Sequence, residues 1–155
     1  MADRITNEMT ESSHNHTGIP KWFWIVSILA LLWNLMGLLA FFAQVFMTEE
    51  MLAELPAEQQ ELYRNMPAWV NIAFAVATFG GVIGCIGLLL RKSWAWLLFV
   101  ISLIGVVAQN GYAWFFTDSL AVLGPQVVVM PILIILIGIG LILFAKSSIK
   151  KGWLK

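Results

Sequence analysis

Charge is scarce in this chain: 12% of its 155 residues are Asp, Glu, Lys or Arg, about half the share of a soluble globular domain. With 60% hydrophobic residues there is too little polar surface to coat a water-soluble body of this size. An ordinary soluble domain and a disordered chain are excluded. Nine Lys/Arg are balanced by nine Asp/Glu, which excludes a nucleic-acid binder with a basic face. The single cysteine excludes an intramolecular disulfide and any C-x-x-C redox or zinc motif. The two histidines, His14 and His16, lie together near the start and lack further ligands for zinc. Met47, Met51 and Met66 are thioethers that suit Cu(I), but Met is also an ordinary residue at a membrane surface, so no metal or cofactor is assigned.

What is abundant is long uncharged apolar sequence. A helix that crosses the roughly 30 Å bilayer hydrocarbon needs about 20 apolar residues. Four runs qualify, at about 22–46, 67–90, 94–116 and 121–145, and none carries a charge. A charge at the bilayer centre costs at least about 2.5–3.5 kcal/mol. Membrane β-strands would alternate apolar and polar residues, and these runs do not. The expected fold is an all-α integral membrane protein: an antiparallel bundle of four transmembrane helices with a short helical periplasmic loop between the first and second. Residues 21–155 form the membrane domain, with the outer loop at 47–66. Residues 1–20, polar and aperiodic, are expected as a mobile cytoplasmic tail. The apolar run that follows is too long for the core of a cleaved signal.

Orientation follows from the cations. Arg4, Lys21, Arg91, Lys92, Lys146, Lys150, Lys151 and Lys155 fall on one side and only Arg64 on the other. The positive-inside rule places both termini and the 91–93 turn in the cytoplasm of a bacterial inner membrane. Seven of the eight tryptophans lie near span ends, as amphipathic rings do at headgroup level; Trp33 lies mid-span. In the outer loop, Thr48 can cap a first short helix and Pro56 can start a second. Leu52, Leu55, Gln59, Leu62 and Met66 share a three-four spacing, giving helices that lie on the membrane face. Five loop glutamates against Arg64 read as a solvated acidic face.

Polar residues inside the spans should face the bundle, because an amide facing lipid has no partner. They are Asn34, Gln44, Asn71, Thr78, Gln109, Asn110, Tyr112 and Gln126, with Ser27 and Ser102 on the same stripes. By depth, Gln44, Asn71, Gln109, Asn110, Tyr112 and Gln126 lie in the outer half, and Asn34 and Thr78 near the midplane. These groups form either interhelical hydrogen bonds or a polar pocket open to the outside. The expected partners of Asn34 are Thr78 and, further out, Gln109. On the second span Ala73, Ala77 and Gly81 recur every fourth residue, and Gly80 and Gly84 make a second small-residue row. Such rows let helix backbones approach closely, so this span should sit between two neighbours or make a dimer. Pro131, inside the fourth span, cannot donate to the carbonyl four residues earlier and should kink that helix.

The runs Leu32-Trp33-Asn34-Leu35-Met36-Gly37, Met47-Thr48-Glu49-Glu50-Met51 followed by Pro67-Ala68-Trp69, Phe79-Gly80-Gly81, Gly84-Cys85, Leu98-Phe99-Val100-Ile101-Ser102-Leu103 and Lys151-Gly152-Trp153-Leu154 are similar to those of a family of small four-span bacterial inner-membrane proteins often labelled "sugar transporter". The resemblance covers about residues 20–155. It implies an inner-membrane location and, through the label, a sugar as solute, but it supplies no catalytic or binding residues.

No pair of titratable groups can face a substrate within the spans, so an enzyme is not expected and no catalytic residue is assigned. The leading reading is a non-catalytic membrane accessory or scaffold protein. The alternative is a small oligomeric transporter or channel for a neutral polar solute such as a sugar, with Asn34 beside Trp33 as its midplane contact. Expected partners are the lipid bilayer, a second copy or a larger membrane protein, and a neutral polar solute, but no nucleic acid. The two readings differ in one observable. A transporter has a cavity lined by Asn34, Gln109 and Asn110, whereas a scaffold buries those amides against one another.

Overall fold

In the computed structural model, which describes residues 18–155, the uncharged runs form four long helices joined by three short ones. These are α1 (Lys21–Val45), α2 (Glu49–Ala53), α3 (Ala57–Arg64), α4 (Ala68–Leu89), α5 (Ala95–Phe116), α6 (Ser119–Leu123) and α7 (Gln126–Lys150). α1, α4, α5 and α7 are long and apolar enough to cross a membrane, and among the described residues there is no strand. The chain is thus a multi-span helical membrane protein. The tail expected over 1–20 lies outside the described residues except for its last three.

The exposed surface is apolar, the inverse of a soluble protein: Phe115 is 81% exposed and Leu39 68%. The interior depends on small residues. The four spanning helices form an open arc in the order α1, α4, α5, α7, with α4 packed along both α1 and α5 and α7 packed along α5. Of the most apolar stretch of α4, 44% is buried, against 11% in α1 and in α7. The two outer helices of the arc do not pack along each other.

Local chemistry sets the ends. Thr48 caps α2, its Oγ1 accepting from Met51 N at 3.2 Å. Pro67, where the second span is expected to begin, stands at the N-cap of α4, whose first helical residue is Ala68. α4 stops in a Schellman arrangement, with Lys92 N donating to Gly87 O and Arg91 N to Leu88 O. Arg91 takes the left-handed conformation there (φ 59°), a place usually given to glycine. The same motif ends α7, this time on Gly152 (φ 71°).

The fourth span differs from its expected 121–145. Gly124, at φ 76°, ends the short α6, and Pro125 then starts α7 at Gln126. The spanning helix is displaced by five residues and runs on through Lys146 to Lys150.

At the end where α1 begins and α7 finishes, the two helices do meet, through aromatic rings. Phe23, fully buried, has its ring centroid 5.4 Å from Phe144 and 5.8 Å from Trp153. Trp22 stacks edge-on to Trp153 at 5.4 Å, and Lys151 Nζ sits 4.7 Å from the Trp153 ring. The chain then folds back as a strap over the α4–α5 turn. Lys155 N donates to Arg91 O at 2.8 Å, Ser93 N to Lys155 O at 2.9 Å and Arg91 Nε to Trp153 O at 3.0 Å. Three hydrogen bonds thus hold Arg91 and its neighbours in a conformation that costs a non-glycine residue about 1–2 kcal/mol.

Candidate functional site

Away from that aromatic seal the arc stays open, and its hollow is a cavity of about 380 Å3. All four spanning helices contribute walls. Most are apolar: Met36, Gly37 and Ala40 of α1, Phe74 and Ala77 of α4, Phe99 and Val106 of α5, and Met130, Ile134 and Leu141 of α7. Four polar side chains reach the lining, Asn34, Thr78, Ser102 and Gln109, and Trp33 adjoins them.

A second chamber, of about 270 Å3, lies at the loop end. Gln59, Leu62 and Tyr63 of α3 contribute to it from the loop, and Gln44, Gln109, Asn110, Tyr112, Thr117 and Ser119 supply amides and hydroxyls. None of its lining residues is charged. Gln109 borders both chambers and makes no side-chain hydrogen bond among the described residues. Asn110 Nδ2 donates only to Val106 O of its own helix, at 2.8 Å.

Asn34 sits elsewhere in register than the sequence predicts. Its Nδ2 donates to Ala30 O at 2.8 Å and to Cys85 Sγ at 3.4 Å, while its amide lies over Gly81. Thr78 faces Gly37 instead, one turn further out, and its hydroxyl donates back to Phe74 O. Asn34 and Thr78 therefore share the apolar cavity without bonding each other. Gln44 and Asn71 do pair, Nε2 to Oδ1 at 2.8 Å, joining α1 to α4 at the loop end. Tyr112 stands edge-on to Trp69, with its hydroxyl 3.5 Å from Asn65 O. Gln126 is the exception among the expected inward groups: it is exposed and lines neither chamber. The Gly124 break makes it the first residue of α7, at the mouth of the bundle rather than a turn or more inside it.

The small-residue rows face two helices. Gly80 and Gly84 meet α5, where an added Cβ would come within 3.3 Å of Ser102 Cβ and 2.9 Å of the Phe99 ring. Gly81 meets α1, where the same atom would lie 2.9 Å from Asn34 Cγ. Ala73 and Ala77 present backbone to Gly105 of α5, whose own added Cβ would fall 2.7 Å from Ala73 O. Ser102 Oγ closes this seam by donating to Ala77 O at 2.5 Å.

Pro131 is buried in α7 and leaves Val127 O without its usual amide donor. Trp114 of α5 supplies the replacement, its indole Nε1 donating to Val127 O at 2.8 Å. A tryptophan expected only as a membrane-edge ring thus mends a helix defect in its neighbour.

Gln59 and Tyr63 of the loop line the site although nothing in the spans points to them. The available signal was Gln59 itself, an amide on the helix face otherwise held by Leu62 and Met66. Among the described residues no group of three His, Cys, Asp or Glu side chains is arranged to hold a metal. No family model, no curated protein and no solved structure matches the chain.

Proposed function

We propose that this membrane protein is a non-catalytic binder of a neutral, hydroxyl-bearing small molecule, which it takes up in the loop-end chamber. One observation carries the reading: Gln109 and Asn110 line cavities without a side-chain hydrogen bond to another helix, and Asn34, which reaches only Cys85 Sγ across the α1–α4 seam, pairs with neither. A scaffold would join those amides across helices, as Gln44 and Asn71 are joined. Amides, hydroxyls and tyrosine rings suit sugar-like hydroxyls, and the uncharged lining offers nothing to an ion. A concave pocket with a few convergent polar groups is the common form of a small-molecule site, and the loop-end chamber, at about 270 Å3, lies just under the usual range of about 300–1,000 Å3, a size for a small solute. An aromatic contact at one end of the bundle and a polar chamber at the other would suit a protein that receives such a solute from one side. The family resemblance, with its sugar label, points the same way.

The test is ligand-dependent thermal stabilisation of the full chain in nanodiscs, using glycerol and glucose as probes. A ligand at a hundred times its Kd adds about 2.7 kcal/mol to the folded state. Gln109→Leu is expected to keep the fold and lose the shift, because it removes the unpaired amide between the chambers. A parent protein that no neutral solute stabilises would return the scaffold reading to first place.

Orientation belongs to the same reading. The cation distribution supports a cytoplasmic side for both termini and the 91–93 turn, which would turn the chamber toward the periplasm. A cysteine introduced by Glu58→Cys should react with an impermeant maleimide added to intact cells. Reaction only after the inner membrane is broken would invert the assignment.

A further inference from the structure

We infer that the occupant of the bundle is an amphiphile with one aliphatic chain and a neutral, hydroxyl-bearing head, admitted sideways from the lipid between α1 and α7. This rests on the reading above that the loop-end chamber receives a neutral hydroxylated group, and extends it to the larger cavity.

The larger cavity is unsuited to a free sugar. Its walls are hydrocarbon from Gly37 and Ala40 on one outer helix and from Met130, Ile134 and Gly138 on the other. A hydroxylated ring placed there would leave most of its hydroxyls without partners, which is costly in an apolar medium. The cavity is also in the right place for a lipid chain. α1 and α7 do not pack along each other, so the hollow lies at the gap in the arc, and Ala40 and Met130 on its two sides are exposed.

Depth fits as well. Along α7 the lining runs from Met130 to Leu141, eleven residues or about 16 Å at the helix rise. That is half of the roughly 30 Å hydrocarbon core, the depth of one leaflet. A chain lying there would stop at Leu141, short of the aromatic seal of Phe23 and Phe144. Its head would then lie at the loop-end chamber, which the cavity adjoins through Gln109.

The head group sets the selectivity. A chain that moves from bilayer to protein gains no hydrophobic free energy, because lipid is as apolar as the cavity wall. Discrimination must come from hydrogen bonds to the head, and the uncharged chamber offers neither a cation for a phosphate nor a carboxylate for an amine. Like any bilayer lipid, a neutral monoacylglycerol or alkyl glycoside would reach it without passing through water.

The experiment is native mass spectrometry of the full chain released from nanodiscs doped with 1-monooleoylglycerol or with oleoyl lysophosphatidylglycerol, which has the same chain and an anionic head. The expected result is one monooleoylglycerol per protein chain, at an occupancy at least tenfold above the anionic lipid. Ala40→Trp fills the apolar cavity from an exposed position, and it should lose the amphiphile at least tenfold while keeping the thermal shift with free glycerol. Met130→Trp does the same from the facing helix and serves if the first variant fails to fold. Equal retention of the two lipids, or full retention in a folded variant of either kind, overturns the inference. Binding of glycerol or glucose without monooleoylglycerol overturns it and leaves the proposed function standing. Binding of neither removes both.

Discussion

Replacing Gly105 by leucine is expected to prevent assembly of the bundle. The added Cβ alone would stand 2.7 Å from Ala73 O and 2.9 Å from Ala77 N, both backbone atoms of the central helix. A flexible side chain could swing away, but a helix backbone cannot move without opening the whole α4–α5 seam. Overpacking in a well-packed core costs about 1–3 kcal/mol and occasionally more. Here the clash falls where association relies on close van der Waals contact rather than on a hydrophobic force. Gly105→Ala should lower the thermal midpoint in detergent, and Gly105→Leu should give protein that inserts but does not fold to a resistant core. Gly140 serves as the control, because nothing lies within 4 Å of the same added atom there. Equal stability of Gly105→Leu and Gly140→Leu would mean that the α4–α5 seam is not as described.

The second large effect joins Trp114 to Pro131. Trp114→Phe keeps most of the ring and removes the donor, leaving the part-buried Val127 O, close to the mouth of the bundle, without its protein partner. An unsatisfied buried acceptor costs about 1–3 kcal/mol. Pro131→Ala restores a backbone amide at that site, and in its presence the Trp114→Phe penalty should largely disappear. A double-mutant cycle on unfolding in mixed micelles measures this coupling directly. Additive losses from the two changes would show that the indole and the proline defect are unrelated.

The four spanning helices could be read from the sequence because their signal is simple: four apolar runs without charge, each long enough for the bilayer. The faces were readable too. The three-four spacing put Asn34, Gly37 and Gln44 on one stripe and the glycines of α4 on others. What spacing cannot give is the axial offset between antiparallel helices. A shift of a single turn sets Asn34 over Gly81 and Cys85 and moves Thr78 to Gly37. The fourth span lies five residues beyond its expected 121–145 for another reason. Hydropathy sees Leu120 to Val129 as one apolar run, whereas Leu123-Gly124-Pro125 contains a helix stop followed by a helix start. The freed Val127 carbonyl could be counted from Pro131, but its donor lies on another helix and is visible only in three dimensions. The site is the least legible part, because a cavity is a property of helices that fail to touch. No residue in α1 or α7 announces that the arc remains open.

The Arg91 turn has a mechanical consequence. α4 and α5, joined by five residues and pressed together through backbone contacts, form a hairpin against which α1 and α7 lean from opposite sides. Local stability in such an architecture is graded, highest in the pair with the densest contact and lowest at the periphery. Under tension applied through a handle at Lys155, the strap over Arg91 should give way first, at low force. α7 should then peel away as a unit, and the hairpin should yield last as a single large event. The strap therefore works as a latch in series with α7: while it holds, a pull on the C-terminal end is borne by the strongest part of the molecule.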